Sequence, residues 1–157
     1  MNELIRVEPI ALLPTQAGCA VFLGDENKVI VFYIDPSIGA SINSILAKAE
    51  PPRPLTHDLF TQTLEACGAE VLHTTIVDVQ GEVFYSRLYI KAENEIMERK
   101  IVELDARPSD CIAMAVRQQA PIFVVPEVWE RLEDVSETLS DLRNQPSEIG
   151  GYGLEIE

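Results

Sequence analysis

The chain has 157 residues, 46% of them hydrophobic and 24% charged, which is typical of one globular domain with a core of its own. No apolar stretch approaches the roughly 20 residues of a membrane span, and the N-terminus lacks the pattern of a secretory leader, so we expect a cytoplasmic protein without membrane association. The net charge of −14 divides into −7 in residues 1–126 and −7 in residues 127–157. Neither part has the basic stripe that is typical of nucleic-acid-binding proteins.

The first half of the sequence predicts three strands followed by two helices. Apolar patterns indicate strands at residues 3–13, 19–23 and 29–34. A helix is expected to begin at Asp35 and to end before a proline-rich segment, because proline cannot continue a helix interior. A second helix is expected with Thr56 as its cap and Gly68 as its stop. Its predicted buried face contains Leu59, Phe60, Thr63, Leu64 and Cys67.

The second half predicts a strand hairpin, a third strand, an apolar helix and a short buried strand. The expected strands are residues 71–80, 83–92 and 96–105, then a helix over 109–118 and a strand over 122–125. Short helices are expected at 126–132 and 135–142, and residues 144–153 are expected to be flexible.

This order of elements indicates the α+β class: a single domain with a mixed sheet, hairpins and three to four packed helices. We assign residues 1–132 to the α+β domain and residues 133–157 to an acidic C-terminal tail, partly helical or flexible. The three cysteines are widely spaced and odd in number, which predicts buried free thiols.

A charged cluster lies where the third strand of the second half meets the apolar helix. Alternation along the strand would place Glu103, Asp105 and Arg107 on one face. Pro108 and Ser109 suit a helix start, and Asp110 falls where the helix dipole favours negative charge.

Two stretches carry a family resemblance. Pro52-Arg-Pro-Leu-Thr-His-Asp-Leu-Phe60 and Asp105-Ala-Arg-Pro-Ser-Asp-Cys-Ile-Ala-Met-Ala-Val116 closely resemble the bifunctional nuclease (BFN) domain family, and the resemblance runs from about residue 8 to about residue 130. The resemblance implies an α+β fold and cleavage of DNA and RNA. It also implies a homo-oligomer, with a dimer as the first expectation. Relatives commonly carry a glutamate where this chain has Ile38, a departure that bears on any mechanism needing that carboxylate.

The residue types in these stretches suit phosphodiester hydrolysis. Carboxylates can hold Mg²⁺ or Mn²⁺, a neutral histidine can act as a base near pH 7, and arginine can bind phosphate through two hydrogen bonds. The candidates for catalysis are His57, Asp58, Asp105 and Asp110; those for substrate binding are Arg53, Thr56, Arg107 and Ser109; those for the divalent metal are Glu103, Asp105 and Asp110.

Each candidate also has a structural interpretation. Ser109 with Asp110, and Thr56 with Asp58, could cap helices. Arg107 could neutralise a neighbouring carboxylate, and Arg53 could brace its loop. His73, on a strand, is predicted to be structural.

Two functions therefore stay open. The first is a metal-dependent nuclease that binds nucleic acid weakly, because few basic residues are available to displace counterions. The second is a non-catalytic oligomeric module that binds a small anionic ligand or a protein partner.

Overall fold

The computed structural model describes residues 3–93, 96 and 98–145. Seven strands form one sheet in the order β3-β2-β1-β7-β4-β5-β6, with five helices among the described residues. In chain order the elements are β1 (Ile5–Thr15), β2 (Gly18–Gly24), β3 (Val29–Ile34), α1 (Pro36–Leu46), α2 (Thr56–Ala66), β4 (Ala69–Gln80), β5 (Val83–Glu93), β6 (Arg99–Ala106), α3 (Pro108–Gln118), β7 (Ile122–Val124), α4 (Pro126–Arg131) and α5 (Ser136–Asn144).

The sheet is mixed because β7 runs parallel to β4, whereas every other neighbouring pair in the described sheet is antiparallel. Strand β1 joins two halves of the sheet: its first residues pair with β7, and the rest pairs with β2 after an irregularity between Pro9 and Ala11. The α+β prediction with hairpins and a mixed sheet is confirmed. The structure has one helix more than the three to four expected.

Helix α3 is the centre of the core. Every residue from Cys111 to Ala115 is buried, and the helix packs on α1, α2, β4 and β5. Helix α1 in turn lies close to β2, since a Cβ added to Gly39 of α1 would lie 2.5 Å from the Cys19 sulfur. The apolar helix predicted at residues 109–118 is therefore enclosed on several sides, as its sequence indicated.

The helix starts follow the predictions in part. Asp35 caps α1 by accepting a hydrogen bond from the Ser37 N–H at 2.8 Å. The prediction of Thr56 as a cap is wrong, since Thr56 is the first helical residue and Leu55 is the N-cap of α2. Gly68 follows α2 with a φ of +71°, which suits the predicted stop.

The predicted buried face of α2 is largely wrong. The helix turns Asp58 and Thr61 inward, because Arg117 and Met114 of α3 offer partners for their carboxylate and hydroxyl groups. Leu64 is partly buried against the core, as expected. The side chains that are exposed instead are Leu59, Phe60, Thr63 and Cys67. Cys67 is thus an exposed free thiol, whereas Cys19 and Cys111 are buried and free.

Part of the acidic C-terminal segment packs on the sheet. Leu139 of α5 is buried with Ala11, Ala20 and Phe22, and the Asp134 carboxylate accepts a hydrogen bond from the Val29 N–H at 3.1 Å. Residues 146–157, on which most of the expected flexible segment falls, lie outside the described residues. In the described part of the chain, no helix is long and apolar enough to cross a membrane.

Candidate functional site

The end of β6, the start of α3 and the first turn of α2 meet at one place. Strand β6 is an edge strand paired with β5, and its last residue, Ala106, leads directly into Arg107, the N-cap of α3. The fully buried Ser86 of β5 donates a hydrogen bond to the Ala106 carbonyl oxygen at 2.6 Å. This buried bond fixes the position from which α3 begins.

Asp110 connects the two halves of the site. Its Oδ1 lies 3.0 Å from Nε2 of His57, and its Oδ2 accepts a hydrogen bond from Nε of Arg107 at 2.8 Å. The His57 side chain is 15% exposed, whereas that of Arg107 is 68% exposed. Two motifs that are 53 residues apart in sequence are therefore joined through one carboxylate.

The electrostatics of Asp110 favour its charged form. Partial burial alone would raise the pKa of this carboxyl, but the hydrogen bonds and positive charges of Arg107 and His57 outweigh that effect. The pKa of Asp110 therefore lies below its ordinary value, and near neutral pH this residue is an anion between two nitrogen groups.

These residues stand at the edge of a cleft of about 620 Å³ between α2 and the ends of β5 and β6. Asp105 and Thr56 line the same cleft. Its floor is apolar, with the buried Leu88 and Met114. The remaining lining residues are His57, Phe60, Val83, Phe84, Tyr85, Leu104, Ala106, Arg107 and Asp110.

Asp58, a candidate for catalysis, faces away from this cleft. Its Oδ2 accepts a hydrogen bond from the Leu55 N–H at 2.9 Å, and its Oδ1 accepts one from Nε of Arg117 at 2.8 Å. The residue is buried and lines a different depression between α1 and α2. These contacts show a capping and pairing arrangement.

Three other candidates are not among the residues that line the cleft. Arg53 is exposed in the loop before α2. Glu103 is paired with Arg87 of β5. Ser109 is buried in the first turn of α3.

The capping interpretation does not describe the start of α3. Within the described part of the chain no side-chain capping hydrogen bond is present there, and the Asp110 oxygens contact side chains of Arg107 and His57 instead. The interpretation of Arg107 as a partner of a neighbouring carboxylate describes its contact with Asp110.

The donor set for a metal is sparse. Within residues 3–93, 96 and 98–145, no group of three or more His, Cys, Asp or Glu side chains is placed to hold a metal ion. Each Asp110 oxygen already accepts one hydrogen bond, so only its remaining lone pairs are available to a cation. The divalent metal stays a prediction.

Cys111 and His73 belong to the packing around the site. Burial raises the pKa of the Cys111 thiol, so near neutral pH it is a neutral group enclosed in the core. Burial also lowers the pKa of His73, whose ring stacks on Tyr89 at 4.3 Å and meets Phe123 edge-on at 5.4 Å.

Sequence reasoning missed the apolar walls of the cleft. Phe60 was assigned to the core by helical periodicity, although it lies one turn after His57 on the same side of α2. Tyr85 and Leu104 carry no local signal that separates a cleft wall from an ordinary strand position. Knowledge of which strand forms the sheet edge was needed to find them.

Comparison with known proteins places the fold and site in context. The family model described as the bifunctional nuclease domain matches residues 21–136, which include every residue that lines the cleft. An uncharacterized protein of Mycobacterium tuberculosis (strain CDC 1551 / Oshkosh) is 35% identical over 122 residues, covering 76% of this chain and 70% of the relative. A protein of Oryza sativa subsp. indica named Bifunctional nuclease 1 is 35% identical over 74 residues, covering 46% of this chain and 22% of the relative. The match covers most of the length of this chain, which therefore belongs to the bifunctional nuclease domain family.

Proposed function

We propose that the chain hydrolyses phosphodiester bonds of nucleic acid in the cleft beside Asp110. The observation that carries the proposal is the Asp110 carboxylate, held between His57 and Arg107 at the edge of a cleft that suits a nucleotide in size. Family membership supports it, as does the similarity to a rice protein named as a bifunctional nuclease.

Arg107 is the phosphate-binding group in this proposal. Its bond to Asp110 uses Nε and restrains the guanidinium, while no hydrogen bond to a described residue occupies the two terminal nitrogens, which are left for the oxygens of a phosphate. Arginine suits this role because its planar fork matches two phosphate oxygens and its charge persists at all physiological pH values. The high exposure of the side chain gives a substrate access to it.

His57 is the proton acceptor. The tautomer with its proton on Nε2 donates to Asp110 and keeps Nδ1 as a basic lone pair. The carboxylate orients the ring and stabilises the imidazolium that forms when Nδ1 takes a proton from the attacking water. The water oxygen bonds to phosphorus as the bond from phosphorus to the leaving sugar oxygen breaks, and the imidazolium returns the proton to that oxygen. General-base catalysis of this kind contributes roughly 10²- to 10⁴-fold to a rate.

Asp105 is the second carboxylate of the cleft and the first choice for holding a divalent cation, Mg²⁺ or Mn²⁺. Such a cation, when bound, would offset the negative charge of the phosphate and lower the pKa of a bound water. Glu103 is less suited to this role because Arg87 already pairs with it. The α1 position where relatives commonly carry a glutamate is Ile38 in this chain. Its side chain packs against the core and supplies no carboxylate.

Binding to long nucleic acids should be weak. A chain with a net charge of −14 repels the phosphate backbone, and little counterion release is available to drive association. Local contacts at the cleft would then have to supply most of the affinity.

The test is cleavage of short single- and double-stranded DNA and RNA by purified protein, with Mg²⁺ or Mn²⁺ and with a chelator. Asp110→Asn should lower the rate about 10²- to 10⁴-fold, because His57 loses its orienting anion. Glu26→Gln, an exposed carboxylate in the β2–β3 turn, is the matched control and should cleave like the wild type. Equal traces of activity in all three proteins, or none in any, would contradict the proposal.

A second candidate function is a non-catalytic module that binds a small anionic ligand or a protein partner. The engagement of both Asp110 oxygens favours it, because a carboxylate with a partner on each oxygen also suits a purely structural network. Saturable binding of inorganic phosphate that is lost in Arg107→Ala, without cleavage of any substrate, would select this candidate. Homo-oligomerisation, with a dimer as the first expectation, remains a prediction that light scattering can test.

A further inference from the structure

Exposed apolar side chains gather at the cleft. Four large hydrophobic side chains that are exposed in the described part of the chain line it: Phe60, Val83, Tyr85 and Leu104. Exposed apolar groups clustered beside charged ones are typical of binding sites, since leaving them in water is unfavourable. The charged corner formed by Asp105, Arg107 and Asp110 therefore adjoins an apolar surface that includes the exposed rings of Phe60 and Tyr85.

Phe60 is well placed relative to the proposed proton acceptor. It follows His57 by three residues in α2, so the two side chains lie on the same side of the helix, about 4.5 Å apart along the axis. A phosphate bound by Arg107 next to His57 would thus have Phe60 within reach of the base attached to the neighbouring sugar. The opposite wall of the cleft carries Tyr85 and Leu104.

The charge of the molecule also favours a ligand that binds by stacking a base on an aromatic ring. Arg107 is the cation among the residues that line the cleft, and the chain as a whole is strongly acidic. A duplex presents mainly phosphates to its surroundings and keeps its base faces stacked, so this cleft could offer it little. An unpaired base exposes its faces and can stack on an aromatic ring, which supplies affinity without positive charge.

We propose that the cleft takes one unpaired base of a single-stranded nucleic acid, stacked on Phe60, and that the chain acts on single strands in preference to duplexes. This inference rests on the proposed function for the identity of the ligand. It adds the substrate class and a residue that selects it. The cleft volume of about 620 Å³ accommodates a nucleotide.

The test uses the full chain and a DNA oligonucleotide that carries 2-aminopurine, whose fluorescence falls on stacking, next to a cleavage-resistant phosphorothioate linkage. The same sequence is offered as a single strand and inside a hairpin duplex. We expect quenching and binding for the single strand, and binding at least tenfold weaker for the duplex.

Phe60→Leu keeps an apolar side chain and removes the ring. It should abolish the quenching and weaken single-strand binding about 5- to 150-fold, the range expected for one aromatic stack. Leu59→Ala is the matched control, because Leu59 is the next residue of α2, is 58% exposed and does not line the cleft. Equal binding of single strand and duplex, or equal effects of the two substitutions, would overturn the inference.

Cleavage assays on the same proteins separate this inference from the proposed function. Quenching that depends on Phe60, without cleavage of any strand, would leave the inference standing and overturn the nuclease proposal. Cleavage of duplexes and single strands at equal rates would support the nuclease proposal and overturn the inference of a single-strand preference. Loss of self-association in Phe60→Leu, with oligonucleotide binding unchanged, would assign the cleft to a second copy of the chain and overturn the inference.

Discussion

Helices α2 and α3 begin with the same arrangement and use it differently. Each has 11 residues and an aspartate at its third position, Asp58 in one and Asp110 in the other. Asp58 is buried, caps the Leu55 N–H and pairs with Arg117. Asp110 is partly exposed and joins side chains of His57 and Arg107 at the edge of a cleft.

The residue that precedes each helix helps to explain the difference. Leu55 offers its aspartate a backbone N–H, so the carboxylate of Asp58 turns back to the helix start. Arg107 offers a guanidinium, which holds the carboxylate of Asp110 on the outer side of α3. The groups around a first-turn aspartate thus decide whether its carboxylate turns back to the helix start, as in Asp58, or towards side chains at a cleft, as in Asp110.

The largest expected difference concerns the two arginine partners. Arg107→Ala should lower kcat/KM for oligonucleotide cleavage roughly 10- to 150-fold, because one charge-assisted hydrogen-bonding group on the phosphate is lost. Arg117→Ala should leave cleavage per folded molecule within about twofold, because this side chain does not line the cleft. A similar loss of cleavage in both variants, with circular dichroism spectra unchanged, would contradict the assignment of phosphate binding to Arg107.

For stability the helix α2 residue should matter more: Asp58 should contribute more to the free energy of unfolding than Asp110. Asp58→Ala should lower the free energy of unfolding by about 2–3 kcal/mol, because it removes a cap and leaves Arg117 without its partner. Asp110→Ala should cost about 1 kcal/mol or less, because its partner Arg107 is largely exposed to water.

Urea unfolding of both variants beside the wild type measures this difference, and unchanged m-values would show that two-state behaviour is kept. An equal loss in the two variants would mean that Asp110 is as structural as Asp58.

The smallest effect is a pH dependence specific to Asp110. Its folded-state pKa lies below the ordinary value of about 3.9, so the native state holds fewer protons on this group than the unfolded chain does. Its contribution to stability is therefore complete above about pH 4 and is lost as the pH falls through the folded-state pKa.

The carboxyl carbon signal of Asp110, followed by NMR from pH 6 to pH 2 and assigned through Asp110→Asn, measures this directly. A midpoint at or above about 3.9 would contradict the ion pairs with His57 and Arg107.

Much of the fold could be predicted because local patterns specify it. Alternating apolar residues marked the strands, prolines marked helix limits, and α1 follows Asp35, where the sequence predicted a helix start. The errors arose where tertiary contacts competed with periodicity. Partners on α3 drew Asp58 and Thr61 inward, and the exposure of Phe60 followed from that rotation of α2.

The site could be predicted as a set of residue types, and the structure selected among them. Thr56, His57, Asp105, Arg107 and Asp110 line one cleft. The structure places four other candidates outside this cleft. Asp58 and Glu103 are paired with arginines. Ser109 is buried, and Arg53 is exposed in a loop. Residue type alone does not separate these cases, because each could serve either purpose.

Short-range patterns in the sequence specify the α+β class, the approximate limits of most elements and the two motifs of the candidate site. The tertiary structure decided which carboxylate faces which partner. The contact between His57 and Asp110 joins residues 53 positions apart. It exists because α2 and α3 pack against each other beside the edge of the sheet, and no local pattern encodes that crossing.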